Sequence, residues 1–337
     1  MNTNEIMVIS HNDCNDGTAA AWCLNRYNDF ALKEENFILL NHGGVEQQLE
    51  EKGFFKNLKS IKQLFVLDYS LPISLLHFIL ENNNSIQITE IDHHKTFWER
   101  SGDKETTTGV LEELKRSGRY TYLFDNRLSG AVLTYLSTTL DREDLDRVLG
   151  IEDEEILRFH LDDIVPRWLL CIQDRDIWLW RYPESKAFCE TFYLAIRNPM
   201  NVILDKEIES KYERFINQGE ALVEAKAIQL DILAEHAIDI RIRVNGERVK
   251  GKFVNCNKFF TSELGNLLLK RDEETKFVIS TEFTGEYWKC GIRSTKDFDS
   301  TLISKHFGGG GHFQASGFRV PDPMKMLETL TAFMFSN

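Results

Sequence analysis

Several features that would assign the sequence to a particular class are lacking. The six cysteines form no C-x-x-C pair, and the first residues lack the basic and apolar regions of an export signal. Charged residues interrupt every apolar stretch well short of the roughly 18 residues that a membrane-spanning helix needs. We therefore expect a cytoplasmic protein with reduced thiols and no membrane association.

An excess of basic charge is also lacking. The formal net charge of the 337 residues is −13, and no run of Lys and Arg stands out. Proteins that bind long nucleic acids through their phosphates usually present a basic surface, so stable duplex binding is not expected. A small anionic substrate is compatible with this charge, because bound metal ions and a few placed Arg or His residues reverse the sign locally.

What is present is an alternation of short apolar runs and helical patterns, which indicates an α/β protein. A chain of this length suits two domains. In the first half, the strand–helix alternation favours a parallel sheet covered on both faces. The predicted strands cover residues 6–10, 37–40, 64–67 and 86–91. The predicted helices cover residues 17–27, 71–80, 128–140, 145–149 and 154–173.

A long linking helix is predicted over residues 204–237, where apolar positions recur at three- and four-residue spacing. A smaller α/β pattern follows it. Its predicted strands cover 238–244, 249–255, 277–283 and 287–294, and its predicted helices cover 261–269, 300–306 and 323–335. We therefore expect a first domain over residues 1–200, a linking helix within 201–237 and a second domain over 238–337.

Polar residues of the metal-binding type follow the predicted strands. His11, Asp13 and Asp16 follow the first strand, and Asp68 follows the third. Functional sites of open α/β sheets lie beyond the carboxyl ends of the parallel strands, so these side chains are expected near one another. Each also has a plainer interpretation, because Asp- and Gly-rich segments after strands are usually turns and a single Asp commonly caps a helix.

Two further places complete this set. Asp92, His93 and His94 follow the fourth strand, and two adjacent histidines beside an Asp are uncommon there by chance. Asp174 follows the apolar run of a predicted helix, although a salt-bridged helix end explains it equally well.

Taken together, the candidate ligands include four aspartates. So much negative charge in one cleft is unfavourable unless the carboxylates are protonated or cations neutralise them. Two divalent cations give a balanced site, and such pairs suit phosphoryl transfer. The four are Asp13, Asp16, Asp68 and Asp174.

These residues, in this order, resemble the motifs of the DHH phosphoesterase superfamily, with Asp92-His93-His94 as the defining motif. The resemblance implies two divalent cations as cofactors, Mn²⁺ first and Mg²⁺ or Co²⁺ as alternatives. It also implies two catalytic residues, Asp92, which supports His93, and His94, which contacts the scissile phosphate. The implied metal ligands are His11 and Asp13 for one ion, Asp16, His93 and Asp174 for the other, and Asp68 as the bridge.

The sequence departs from the family pattern in two places. The first motif of the family commonly has the spacing H-x-D-x-D-G, whereas here an additional residue separates Asp13 from Asp16. The ion that each of these two aspartates serves therefore stays open. In the fourth motif Asp174 competes with Asp176, and we favour Asp174 because it directly follows the apolar run.

A glycine run in the second domain adds an independent match. Residues 307–318 are similar to the G-G-G-H segment of the DHH-associated C-terminal domain, and Arg293 resembles its Arg-Ser segment. A glycine run lets backbone N–H groups approach a phosphate closely, and Arg suits a bidentate phosphate contact. The resemblance thus implies a catalytic first domain and a substrate-binding second domain. The predicted substrate-binding residues are Arg293, Ser294, Gly309, Gly310, Gly311 and His312.

The function that we predict is hydrolysis of phosphodiester bonds in short oligonucleotides or in linear or cyclic dinucleotides, by a two-metal mechanism. The substrate is expected to be clamped between the two domains of a monomer or homodimer. A phosphatase of polyphosphate or of 3′-phosphoadenosine 5′-phosphate is the alternative within the enzymes. A catalytically silent nucleotide sensor is the alternative of another class, and its mark would be a missing metal ligand.

Overall fold

The computed structural model describes residues 3–41, 43–244 and 247–332. It divides the chain into two units, Met1–Val223 and Glu224–Asn337. We call them unit 1 and unit 2. The predicted domain boundaries at 200/201 and 237/238 stay predictions.

Unit 1 is built on a five-stranded sheet in which every neighbouring pair is parallel. The spatial order is β2-β1-β3-β4-β5. The four predicted strands are confirmed, and the edge strand β5 was not predicted. The strands are β1 (Ile6–His11), β2 (Phe37–Leu40), β3 (Gln63–Leu67), β4 (Gln87–Asp92) and β5 (Tyr120–Phe124).

Helices cover both faces of this sheet. Side chains alternate along β1, so that Ile6 and Val8 belong to one hydrophobic core whereas Met7 and Ile9 belong to the other. The helices are α1 (Asn15–Tyr27), α2 (Val45–Glu51), α3 (Phe54–Asn57), α4 (Ile73–Asn82), α5 (Lys104–Arg116), α6 (Gly130–Thr139), α7 (Arg142–Leu149), α8 (Glu154–Ile164), α9 (Arg167–Asp176), α10 (Ser185–Ala195) and α11 (Met200–Ile203).

Two predicted helices differ from those observed. The predicted helix over 154–173 is two helices, α8 and α9, separated at Val165-Pro166 because proline has no N–H for the helix and disfavours a helical residue before it. In place of the predicted helix over 204–237, the structure has the shorter helix α12 (Tyr212–Glu235). A 3₁₀ turn at Ile208–Lys211 precedes this helix. The boundary between the two units falls within α12.

Unit 2 contains a six-stranded sheet of order β10-β11-β9-β8-β7-β6, in which β7 and β8 are parallel and the other pairs antiparallel. Its strands are β6 (Ile238–Val244), β7 (Glu247–Asn255), β8 (Phe277–Phe283), β9 (Trp288–Ser294), β10 (Gly310–His312) and β11 (Ala315–Val320). Its further helices are α13 (Thr261–Arg271), α14 (Thr301–His306) and α15 (Pro323–Ala332).

The predicted fold class is confirmed, with a parallel-sheet unit, a long helix and a smaller α/β unit. Strands β10 and β11 were not predicted, and the end of the predicted helix over 323–335 lies outside the described residues. Of the helices that the structure describes, none has the length and apolar character needed to cross a bilayer.

Candidate metal centre

The register of the parallel sheet brings three strand ends together. Ser10, Leu67 and Ile91 form one rung across β1, β3 and β4. The residues directly after this rung are His11, Asp68 and Asp92, so the strand-end loops meet as the sequence predicted. The Ser10 hydroxyl donates to the carbonyl oxygens of Gly17 at 2.7 Å and Leu67 at 3.0 Å, which ties the first loop to the third strand.

Asp68 lies at the middle of this edge, with its two oxygens facing different groups. Its Oδ2 is 3.5 Å from the Cys14 Sγ and 3.9 Å from the His11 Nδ1. Its Oδ1 is 3.2 Å from the His93 Nε2 and 3.7 Å from the His94 Nδ1. The residue adopts a left-handed conformation with φ 51°, which costs about 1 kcal/mol or more and is typical of functional positions.

His93 connects Asp68 to a second acidic group. Its Nε2 lies 3.4 Å from the Asp176 Oδ2 and 3.7 Å from the Asp16 Oδ2. The side chain of Asp176 is 26% exposed, whereas that of Asp16 is completely buried. The structure thus gathers three sets of donor atoms, in which Asp68 belongs to two and His93 to two. The sets are His11, Cys14 and Asp68; Asp68, His93 and His94; and Asp16, His93 and Asp176.

Polar atoms in this cluster fit the binding of divalent cations. The Asp68 Oδ1, the Asp92 Oδ2 and the His93 Nε2 are buried without a hydrogen-bond partner of suitable geometry. Buried polar atoms are almost always paired, so three such atoms near one another indicate a ligand-binding site. Carboxylate oxygen and imidazole nitrogen are the donors that Mn²⁺ and Zn²⁺ take in proteins.

Asp16 is held by the N-terminus of helix α6. Its two oxygens accept hydrogen bonds from the Gly130 N–H at 2.6 Å and the Ala131 N–H at 3.0 Å. The positive end of the helix dipole favours a carboxylate in that place. Residue 130 has to be glycine here, because a Cβ atom would lie 2.7 Å from the Asp68 Cβ.

Asp92 orients His94 rather than His93, which corrects the predicted pairing. Its Oδ1 accepts from the His94 Nδ1 at 2.7 Å and from the backbone N–H groups of His93 and His94 at 2.7 and 3.1 Å. The backbone turns after β4 so that the His94 ring folds back over Asp92, while the His93 ring reaches across to Asp68.

The charges of the cluster shift one another's pKa values. Burial and the neighbouring Asp16 raise the pKa of Asp68 to about 7. Burial alone would lower the pKa of His93, but Asp68, Asp176 and Asp16 outweigh it and raise that pKa to about 10. The pKa of His94 is raised to about 9, because its hydrogen bond to Asp92 and the charge of Asp68 outweigh burial. Both rings are therefore protonated at neutral pH without a cation, and a cation bound at the His93 Nε2 has to displace that proton.

Asp174 does not lie in the cluster, which corrects the preference stated from the sequence. Its two oxygens accept from the Arg181 N–H at 2.7 Å and the Tyr182 N–H at 3.1 Å, so the carboxylate holds the turn after α9. Asp176, two residues later and more than half a helical turn round, faces His93 instead. Burial and the charge of Asp16 raise the pKa of Asp176 to about 6.

Asp13 belongs to none of the donor groups that the described residues form. Asp13 has a left-handed backbone with φ 55° and pairs with Arg197 at 3.1 Å. Among the described residues, the third donor beside His11 and Asp68 is Cys14, which was not among the predicted ligands. The signal in the sequence was the additional residue in this loop, because Cys14 stands two positions before Asp16, where the H-x-D-x-D pattern has its first Asp.

In unit 2, the residues predicted to bind substrate are tied to their own unit. The Arg293 Nη2 donates to the Ser262 Oγ at 2.7 Å, and its Nη1 donates to the Ile292 carbonyl oxygen at 2.8 Å. Burial lowers the pKa of Arg293 from its ordinary value. The Ser294 hydroxyl donates to the Phe298 carbonyl oxygen at 2.7 Å, so its position serves the loop that follows β9.

The glycine run forms a turn and a short strand. Gly310, Gly311 and His312 pair with residues of β11, and His312 lies opposite Ala315. Gly311 has φ 141°, and a Cβ atom there would lie 2.5 Å from the Ser316 Cα, so the close pairing requires glycine. Gly309 precedes the strand, and its N–H donates to the Ser304 carbonyl oxygen at 2.8 Å.

Comparisons with known proteins add the following. No family model matches the chain. It is 25% identical over 323 residues to the uncharacterized protein R106 of Acanthamoeba polyphaga mimivirus, a match that covers 92% of this chain and 66% of the viral protein. The chain thus spans just under two thirds of the length of that relative.

Two solved structures are also similar to the chain. An exopolyphosphatase-related protein from Bacteroides fragilis is 13% identical with a TM-score of 0.46, covering 99% of this chain and 94% of that one. The exonuclease RecJ bound to manganese is 14% identical with a TM-score of 0.48, covering 98% and 90%. Sequence identities and TM-scores of this size carry no functional information. The chain resembles the DHH phosphoesterases in its motifs, and the side chains of the metal centre carry the proposal below.

Proposed function

We propose that the protein is a phosphoester hydrolase with two divalent cations at the carboxyl edge of the unit 1 sheet. The observation that carries this proposal is the position of Asp68. Its Oδ2 faces His11 and Cys14, and its Oδ1, buried without a hydrogen-bond partner, faces His93. A carboxylate with one oxygen toward each of two donor sets is the arrangement of a bridging ligand.

The residues around Asp68 have distinct roles in this proposal. Asp16, His93 and Asp176 hold one cation, and His11 belongs to the other position. When bound, the two cations act as Lewis acids and lower the pKa of a water molecule. Asp92 fixes the ring of His94 through a 2.7 Å hydrogen bond, and this carboxylate favours the protonated form of the ring.

A positively charged His94 can donate a proton from its Nε2. Negative charge develops on the phosphate oxygens and on the leaving oxygen during hydrolysis, and a positioned donor stabilises it. We assign His94 this role and Asp92 the role of positioning it. Arg293 of unit 2 is our candidate for a phosphate contact, since its guanidinium is fixed by Ser262 and carries several donors.

The substrate class that we propose is the phosphodiester of short oligonucleotides or dinucleotides. This proposal rests on the resemblance of the Asp92-His93-His94 motif and of the glycine run at 308–311 to the motifs of the DHH phosphoesterases. Polyphosphate and 3′-phosphoadenosine 5′-phosphate are anions that the same donor sets would accept, so the substrate assay includes them.

The experiment is a product assay with the purified full chain and added Mn²⁺, with a chelator control. Short RNA, linear and cyclic dinucleotides, polyphosphate and 3′-phosphoadenosine 5′-phosphate are compared. The expected result is cation-dependent release of mononucleotides from short RNA or dinucleotides. Release of phosphate from the other two substrates alone would make the protein a phosphatase.

Two neighbouring variants, one expected to be inactive and one active, test whether the measured activity depends on the proposed cation site. Asp176→Asn should lose most of the activity, whereas the neighbouring Asp174→Asn should keep it if the protein folds. Bound cation without turnover of any of the substrates would contradict the hydrolase proposal and favour a nucleotide sensor.

A further inference from the structure

We propose that Cys14 is a thiolate ligand of one of the two cation positions, and that this position therefore favours Zn²⁺ or a similarly soft cation over Mn²⁺. The inference rests on the proposed two-cation function and adds the chemistry of one site. It replaces Asp13, which the resemblance implied for this place, with a sulfur donor.

The distances fit a shared cation. One donor atom each from His11, Cys14 and Asp68 lies within 4.8 Å of the others. The Cys14 Sγ is 3.5 Å from the Asp68 Oδ2, and the His11 Nδ1 is 3.9 Å from that same oxygen. Donor atoms on a tetrahedral ion with bonds of about 2.0–2.3 Å lie about 3.5 Å apart, so a small inward shift of the His11 ring completes the geometry.

The backbone explains why the sulfur faces inward. Asp13 turns through the left-handed region, with φ 55°, and its carboxylate pairs with Arg197. Cys14 then takes an extended conformation at the N-terminus of α1, with φ −131° and ψ 132°. Residues in that position usually cap the helix with a side-chain hydrogen bond, but Cys14 makes none. Its thiol is directed to Asp68 instead.

A second observation shows that the carboxylate opposite this thiol belongs to a ligand-binding site. Asp68 is 1% exposed, and its Oδ1 has no hydrogen-bond partner. The other cysteines have different surroundings. Cys23, for example, is 2% exposed within a hydrophobic core cluster and occurs in no group of potential metal ligands among the described residues.

Sulfur changes which cations the position prefers. Thiolates favour Zn²⁺ and other soft or borderline cations, whereas sites of carboxylate and water suit Mn²⁺ and Mg²⁺. Binding requires the Cys14 thiol to lose its proton, which passes to the solvent, and the sulfur then bonds to the cation. The second position, with His93 and two carboxylates, contains no sulfur and is expected to accept Mn²⁺.

The test uses the full chain, freed of metal with a chelator and titrated with Co²⁺ as a spectroscopic probe. Thiolate bound to Co²⁺ gives a sulfur-to-metal charge-transfer absorption in the near ultraviolet. We compare the wild type with Cys14→Ser, Cys14→Asp and the matched control Cys23→Ala. Calorimetry gives the number of cations bound, competition gives the ratio of Zn²⁺ to Mn²⁺ affinity, and circular dichroism verifies folding.

The expected result is a charge-transfer band in the wild type and in Cys23→Ala that both Cys14 variants lack. Cys14→Asp should still bind two cations, because it restores a carboxylate, but its ratio of Zn²⁺ to Mn²⁺ affinity should fall at least about tenfold. Two bound Co²⁺ ions without the band would overturn the role of Cys14 and leave the proposed hydrolase intact. Failure of the wild type to bind Co²⁺, Zn²⁺ or Mn²⁺ would overturn both proposals.

Discussion

Glu90 on β4 and Asp68, directly after β3, are both buried carboxylates of unit 1, and their surroundings differ. Both oxygens of Glu90 are satisfied by the protein: Oε1 accepts from the Leu71 N–H at 3.0 Å, and Oε2 accepts from Arg100 at 2.8 Å and from the Tyr120 hydroxyl at 2.5 Å. The Nη2 of Arg100 has no partner, but the charge of Glu90 is matched by the guanidinium beside it.

In contrast to Glu90, the protein does not satisfy both oxygens of Asp68 with hydrogen bonds. Among the described residues, Asp68 forms no salt bridge with Arg or Lys, and the basic side chains near it are the histidines His11, His93 and His94. Its pKa is raised to about 7, because burial and Asp16 disfavour its charge. Removing one partner of a buried pair of carboxylate and guanidinium destabilises the fold, whereas a carboxylate whose basic neighbours are histidines with exchangeable protons is suited to a metal ion.

The largest expected effect is a difference in enzymatic activity between variants of the two carboxylates. Asp68→Ala should lower turnover about a thousandfold or more, because the bridge to both cations is lost and several kcal/mol of transition-state stabilisation go with it. Turnover and cation stoichiometry are measured with Mn²⁺, and Glu90→Gln serves as the control with a buried carboxylate removed. Wild-type turnover in a folded Asp68→Ala protein would contradict the two-cation mechanism.

The second prediction concerns stability, for which Glu90 rather than Asp68 is expected to give the larger effect. Glu90→Gln should lower the free energy of unfolding by about 3–5 kcal/mol, since it leaves Arg100 buried without its partner charge. Urea denaturation with a chelator present measures this, and calorimetry should still find two cations in the folded variant. A loss of cation binding at unchanged stability would remove the distinction between the two groups.

The third prediction is a pH dependence of the metal-free protein. The folded-state pKa of Asp68, about 7, lies above its ordinary value of 3.8, so the folded state binds more protons than the unfolded state between these values. The contribution of Asp68 to stability should therefore fall as the pH rises from about 4 to about 7, by on the order of 3 kcal/mol. Above pH 6.5 the raised pKa of His93 extends the loss up to about pH 10.

This dependence is measured by thermal or urea unfolding at several pH values. Asp68→Asn should flatten the fall between pH 4 and 7, and a saturating divalent cation should oppose it at neutral pH by binding the folded state. The same pH dependence in Asp68→Asn and in the wild type would contradict a raised pKa of Asp68.

The smallest expected effect tests the two aspartates of α9. Asp174→Asn should lower stability by about 1–2 kcal/mol and keep cation affinity, because its carboxylate accepts the Arg181 and Tyr182 N–H groups. Asp176→Asn should weaken cation binding and leave stability in the metal-free state unchanged or higher. Denaturation and calorimetry on both variants give the comparison, and the opposite pattern would return Asp174 to the metal centre.

Much of the fold followed from local pattern. The buried runs of β1 to β4 are short, apolar and separated by helical stretches, so strand identity and the parallel sheet were predictable. Strand β5 has only one buried residue, and two of the three residues of β10 are glycines. Neither segment therefore has the sequence pattern of a buried strand. The end of α8 was encoded by Pro166, a signal that the prediction passed over.

The sequence by itself determined which loops carry the metal centre, because a parallel sheet aligns the residues after β1, β3 and β4 whatever the details of packing. Only the tertiary structure decided which side chains point into it. Asp176 rather than Asp174, Cys14 rather than Asp13, and His94 rather than His93 as the partner of Asp92 all follow from backbone turns within one or two residues. A change of one position on a turn redirects a side chain. Some of the contacts that hold these turns are local, such as that of His94 with Asp92, and others come from residues distant in the chain, such as that of Arg197 with Asp13.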